Sequence, residues 1–151
     1  MTPTLTHVAD VLVEVGEPIA IGETPQGLRR VVPITGGTLR GKRLSGTILA
    51  GGADFQIIGR DGFTRLEARY VLRLDDGALI YVDNRGVRFG PPEVMERITR
   101  GEPVDPAQVY FRSTPRFETP APAYQWLTRP LFIASGVRHP DRVALSVFEV
   151  G

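Results

Sequence analysis

The chain has 151 residues, 42% hydrophobic and 23% charged, with a formal net charge of +1. That length fits one domain, 1–151, and the balance excludes a disordered polymer and gives no clustered cations for nucleic acid. The absence of cysteine excludes disulfides, thiol nucleophiles and thiolate-held metals.

Along the chain, 17 glycines and 13 prolines leave runs that are mostly too short for helices, the pattern of an antiparallel meander. Leu5 to Val15 reads as a first strand, broken by Gly16-Glu17-Pro18. Ile19-Ala20-Ile21 leads into the turn Thr24-Pro25-Gln26-Gly27, and Leu28 to Thr35 is predicted to stop at Gly36-Gly37. Arg43 to Ala50 and Ala53 to Ile58 flank a sharp corner at Gly51-Gly52. Arg60-Asp61-Gly62 and Asp75-Asp76-Gly77 are hairpin signals.

Between those hairpins, Phe63 to Leu74 alternates cleanly. Leu66, Ala68, Tyr70, Leu72 and Leu74 share one face, and Glu67, Arg69, Val71 and Arg73 the other. Alternation leaves open which face turns inward. Ala78 to Asp83 is the partner strand, ended by Asn84-Arg85-Gly86. One helix is predicted from Pro92 to Arg100, with proline in its first turn and Gly101 beyond its last residue. Its stripe of Val94, Met95 and Ile98 suits packing against a barrel opening. Pro103 to Pro122 reads as a long Pro-rich loop, followed by Gln125-Trp126-Leu127 and two strands, Leu131 to Val137 and Val143 to Val150. The fold class expected is all-β: an antiparallel β-barrel of about eight to ten strands with one short helix (92–100).

No phosphate loop and no nucleophile elbow is present. Gly36, Gly37, Gly41 and Gly46 precede strands and not a helix, so they read as corners and bulges of a curved sheet. His7 and His139 lie near opposite ends without metal-ligand spacing, so no metal is expected, and no organic cofactor either. The start of the chain shows no basic segment followed by an apolar one, and no apolar run approaches ~20 residues. Neither a membrane nor nucleic acid is expected as partner, and the expected location is cytoplasmic.

Candidate site residues follow from residue type and position. Asp54, after Gly51-Gly52-Ala53 and before Phe55, stands at a strand entrance. Its carboxyl is either a partly desolvated general acid or base, or a cap bonding the backbone of the glycine corner. Glu67 and Arg69 form an exposed ion pair if their face is outside, or a polar contact aimed at a ligand if it is inside. Tyr70 and Tyr81, on paired strands, could polarise a carbonyl or fill a core. Arg112 could clamp an anion or pair with Glu118, and Tyr124 and Trp126 complete an aromatic segment that suits either a ligand site or a subunit contact.

Several stretches carry a resemblance: Gly36-Gly-Thr-Leu-Arg-Gly41, Gly51-Gly-Ala-Asp-Phe55, Leu66-Glu-Ala-Arg-Tyr70, Asp75-Asp-Gly-Ala-Leu-Ile-Tyr81, Tyr110-Phe-Arg112, Pro115-Arg-Phe-Glu-Thr119 and Tyr124-Gln-Trp-Leu127. In these the chain resembles the family of domains of unknown function number 3237, small bacterial and fungal proteins. The resemblance implies an antiparallel β-barrel and supplies no common reaction. It puts the aspartate of the glycine corner at Asp54 and the Tyr-Phe-Arg arginine at Arg112. The chain departs from it at Phe55, where many relatives carry tryptophan, and at Thr128, where many carry asparagine.

Together these features suit a barrel enclosing a mainly apolar pocket for a small carbonyl-bearing or aromatic molecule. Asp54, Arg112 and Tyr70 are the candidate catalytic residues for cofactor-independent acid–base chemistry of isomerase, cyclase or lyase type. Arg69, Tyr81, Glu67, Glu118, Tyr124 and Trp126 are the candidate ligand contacts. The alternatives are a non-catalytic ligand carrier and an oligomeric structural or interaction module, and at least a dimer is expected.

Overall fold

Alternation sorts each strand into an inner and an outer row. In the computed structural model, which describes residues 1–151, the ten strands are β1 (Leu5–Val15), β2 (Ile19–Thr24), β3 (Gly27–Arg40), β4 (Ser45–Ile48), β5 (Gly52–Ile58), β6 (Thr64–Leu74), β7 (Leu79–Phe89), β8 (Tyr110–Glu118), β9 (Leu131–Arg138) and β10 (Arg142–Val150). All pairings are antiparallel, and the path β1-β10-β9-β8-β7-β6 continues through β4 and β5 to β3. β3 then pairs with β1, so the sheet closes on itself. The short β4 and β5 together fill one place in an eight-membered ring, and β2 extends beyond it on the free part of β3. Closure leaves only short unpaired edges.

Gly36-Gly37 does not end β3. The strand bends there and continues along β1, where Gly37 pairs with Val13. Gly37 has φ +142°, and a Cβ on it would collide with the carbonyl oxygen of Leu12. The double glycine is therefore a bend inside a strand, where the chain must approach its neighbour closely.

The inner row of β6 is Thr64, Leu66, Ala68, Tyr70, Leu72 and Leu74, the face that carries Tyr70. The helix α1 runs from Pro92 to Thr99 and ends on Gly101, whose φ is +77°. Val94, Met95 and Ile98 are buried, and the Thr99 carbonyl accepts a hydrogen bond from Arg30 Nη1 at 2.9 Å. That bond ties the end of α1 to β3 at one mouth of the barrel. A distorted 3-10 turn, Pro122–Leu127, lies on the far side of β8 and contributes the buried Leu127 to the core.

The Pro-rich segment is not a long loop. Tyr110–Glu118 is β8, strictly alternating between exposed and buried, with Phe111 and Phe117 inside. Proline at position 115 is compatible with this strand because β8 bonds β9 only around Ser113. The segment is part of the wall and not a projecting arm. No helix is long and apolar enough to cross a membrane.

Candidate functional site

The interior divides along the barrel axis. Toward the 3-10 turn it is filled by Leu39, Ile48, Leu72, Leu74, Ile80, Phe117, Phe132 and Val147, all in one cluster. Toward α1 the same inward rows turn polar. Arg30 on β3, Gln56 on β5, Thr64 on β6, Asn84 and Arg88 on β7, and Ser113 on β8 are all buried.

Register explains why a void opens there. One rung across the wall reads Val32, Asp54, Ala68, Asn84, and the next reads Arg30, Gln56, Leu66, Gly86, Ser113. Ala68 and Gly86 put almost no side chain between the polar ends of these rungs. The result is a pocket of ≈ 540 Å³ counted out to its mouth, within which ≈ 40 Å³ is open to the centre of a water molecule. By the usual measure that inner space holds about three waters. Its wall combines Leu66, Phe111, Val143 and Leu145 with Asp54, Gln56, Tyr70, Asn84, Arg88, Ser113 and Arg138. Gly136 is required nearby, because a Cβ on it would lie 2.8 Å from the Phe111 ring.

Asp54 points into this pocket. Its Oδ2 accepts from Gln56 Nε2 at 2.9 Å and its Oδ1 from the Glu67 backbone N–H at 3.2 Å. Neither bond goes to the glycine corner, so the side chain is not a cap of that turn. Protein encloses the carboxyl group while the residue keeps some surface on the cavity side. Desolvation holds the Asp54 pKa above the usual aspartate value, against the bonds from Gln56 and Glu67 and the charges of Arg88 and Arg138. Burial likewise pushes the Tyr70 phenol up, keeping it neutral at ordinary pH. Arg88 is lowered to about 10, mainly by burial. Arg30 and Arg138 are shifted down for the same reason.

Five buried polar atoms have no protein partner: Arg30 Nε, Gln56 Oε1, Asn84 Oδ1, Arg88 Nε and Ser113 Oγ. Four of these five residues line the pocket. Such groups are normally satisfied, so their concentration in one place marks it as unlike an ordinary core.

Of the residues singled out in the sequence, Asp54 and Tyr70 lie on the cavity. The others do not. Glu67 and Arg69 pair at 3.0 Å on the outer face of β6, where Arg69 also lies over the Phe55 ring. Tyr81, Arg112 and Glu118 are exposed on the outside of β7 and β8, because inward positions there are the even-numbered residues of β7 and the odd-numbered residues of β8. Arg112 bonds the Phe111 carbonyl at 2.9 Å and lies over Tyr110, and it is not paired with Glu118. Tyr124 donates to Asp76 Oδ2 at 2.5 Å, tying the 3-10 turn to the β6–β7 hairpin. Trp126 packs against the apolar cluster beneath the Arg43 guanidinium, 3.7 Å from its ring. Gln56, Asn84, Arg88, Ser113 and Arg138 escaped notice in the sequence. Extending β7 past Asp83 by strict alternation would have carried Asn84 and Arg88 onto the face of Ile80 and Val82.

Residues 3–150 match the model of the family described as "Protein of unknown function (DUF3237)". The chain belongs to that family. The UPF0311 protein of Rhodopseudomonas palustris is 49% identical over 152 residues, with 99% of each chain covered. The crystal structure of the conserved protein of unknown function from the same organism superposes with a TM-score of 0.95 at 46% identity, covering 100% of this chain and 99% of that one. A β-barrel-like protein from Acinetobacter baumannii gives 0.88 at 37% identity, with 100% and 98% coverage. An enzyme from Penicillium herquei shares the fold at a TM-score of 0.75 and 19% identity, covering 100% and 96%. The antiparallel barrel is thus the fold of the DUF3237 family.

Proposed function

We propose that this barrel is a small-molecule enzyme in which Asp54 transfers a proton to and from a carbonyl-bearing substrate without a cofactor. The observation that carries this reading is the Asp54 carboxyl. It faces the cavity, makes two hydrogen bonds to the protein, and has its pKa raised above the usual aspartate value by burial, which makes it a stronger base than a free aspartate. A carboxyl of this kind takes a proton from the carbon next to a carbonyl and returns it at another position, the common step of isomerisation, elimination and some cyclisations. The neutral Tyr70 phenol, on the same cavity wall, supports the reading as a donor to the oxyanion formed when that proton leaves. A carrier would be expected to pair its acidic and basic groups with each other, and a purely structural barrel to fill its interior. The orphaned polar atoms and the void favour neither.

The test is proton exchange in deuterated water, followed by NMR on a panel of small ketones and keto acids. Wild type is expected to wash deuterium into the carbon beside the carbonyl of at least one of them. Asp54→Asn should slow that exchange about 10²- to 10⁴-fold, the usual scale of general acid–base catalysis. Exchange equal in wild type and Asp54→Asn would remove Asp54 from the chemistry.

A further inference from the structure

The charges enclosed at this end of the barrel do not balance. Arg88 and Arg138 line the cavity with a single carboxylate, Asp54. Arg30 lies beside them on β3, 7% exposed. None of the three belongs to any ion pair within 4.0 Å in the structure. Arg30 is partly satisfied, since its Nη1 bonds the Thr99 carbonyl at the negative end of the helix α1. Arg88 has no such outlet: it is 3% exposed, its Nε is orphaned, and its guanidinium lies over the Phe111 ring, 5.5 Å from Cζ to the ring centre. With Asp54 ionised, three cations face one anion, an excess of two positive charges.

Burying an unpaired cation costs several kcal/mol. Arg88 titrates near 10 and so stays charged at neutral pH. Guanidinium groups that line a shared void, with no carboxylate of the protein within ion-pair distance although Asp54 and, for Arg138, Asp141 lie farther off, have the charge to grip a planar anion through paired N–H donors. Gln56, Asn84 and Ser113 add neutral polar groups, and most of the remaining wall is hydrocarbon, including Leu66, Phe111, Val143 and Leu145. That favours an anion with an organic body over a hydrated inorganic ion.

We propose that the cavity recognises its substrate by a carboxylate group, held by Arg88 and Arg138, with Phe111 and Leu66 against its carbon skeleton. This rests on the reading of the cavity as a substrate site and deepens it by naming the substrate class, a small organic carboxylic acid. The inner volume of ≈ 40 Å³ takes an acid of a few heavy atoms, or the acid end of a longer molecule that extends through the mouth. A bound carboxylate also acts on Asp54, whose charged and titratable neighbours are Arg30 on β3, Tyr70 on β6, Arg88 on β7 and Arg138 on β9. The ligand offsets the cations that favour ionised Asp54, so binding brings a proton uptake with it.

The experiment uses the full chain and matched pairs of acid and amide: acetate and acetamide, pyruvate and pyruvamide, benzoate and benzamide, with inorganic phosphate as a further arm at constant ionic strength. Thermal melting and titration calorimetry in two buffers of different ionisation heat are the readouts. At least one acid is expected to raise Tm saturably and to bind with proton uptake in a pH series from 4 to 8, while its amide does neither. Arg138→Gln, at a half-buried position, should weaken that acid at least tenfold, and Arg88→Lys should weaken it less than Arg88→Met. Asp54→Asn should keep acid binding and lose both the proton uptake and the exchange chemistry. Loss of the catalytic reading therefore shows as unchanged exchange in Asp54→Asn, and loss of this one shows in binding. Equal response to acid and amide, no response to any acid, preference for phosphate, or unchanged affinity in Arg138→Gln would each overturn it.

Discussion

Phe132 and Ser113 are nearly equally buried, 2% and 5% exposed, on adjacent strands of one barrel. Phe132 belongs to the buried apolar cluster, and its ring meets Phe117 edge-on at 5.2 Å. Around Ser113 the inward side chains are Gln56, Asn84, Arg88 and Arg138, and its own hydroxyl has no partner. Burial alone therefore does not make a core. The apolar end takes side chains out of water with no cost in hydrogen bonding, whereas the polar end forgoes bonds that the unfolded chain makes with water. One half of the interior holds the barrel shut; the other is held open at the expense of stability, which is the usual signature of a site.

The sharpest way to break this contrast is to truncate both halves and compare them. Phe132→Ala should lose about 3–5 kcal/mol and Ile80→Ala about 2–5 kcal/mol in urea unfolding, since both side chains would leave cavities in a packed region. Arg88→Met fills similar space without a charge, and is expected to leave stability unchanged or raise it by about 1–4 kcal/mol. A large loss in that variant would show that Arg88 is a structural residue and would erase the distinction between the two ends.

A pH series sharpens the same point at Asp54. Its folded pKa is raised, so between the ordinary aspartate value of 3.8 and that higher value the folded chain binds more protons than the unfolded one, and stability falls as pH rises through this window. Asp54→Asn removes that dependence. The variant is expected to match wild type below 3.8 and to gain relative to it as pH rises, read as a Tm difference that grows and then levels off. A difference that is constant across pH would mean that ionisation of Asp54 costs the fold nothing. The smallest effect is expected on the outer wall. Arg69→Ala breaks the half-exposed Glu67–Arg69 pair and should cost about 1 kcal/mol or less, diminishing with salt.

The barrel was legible in the sequence because turns and alternation are local. The hairpins at Asp61-Gly62 and Asp75-Asp76-Gly77, the long β6 and the helix from Pro92 all follow from neighbours within a few positions. What escaped were the features fixed from a distance. Pro115 and its flanking prolines made β8 look like a loop, although two neighbouring strands hold it in the wall. Asn84-Arg85-Gly86 resembles a turn but runs straight through β7, because β6 and β8 pair with it on both sides. That misreading concealed Arg88. Asp54 was recognisable because it follows the glycine corner at a strand entrance, and Tyr70 because it stands on a cleanly alternating strand. Their partners come from β3, β7, β8 and β9, whose common enclosure no local pattern records.

The closure of the barrel also bears on how the chain is made. Asp10–Val15 of β1 can pair early with β3, but Leu5–Ala9 has only β10 as partner, ending where Thr4 and Gly151 exchange backbone bonds of 3.0 and 2.8 Å. During synthesis at roughly 5–20 residues per second, those first residues wait on the order of ten seconds for the last strand to leave the ribosome. For that interval the ring is an open sheet with two free edges, and the polar end has no inside. Protection of Leu5–Ala9 from proteases on nascent chains should therefore appear only once β10 has emerged. The pocket is among the last things this protein acquires.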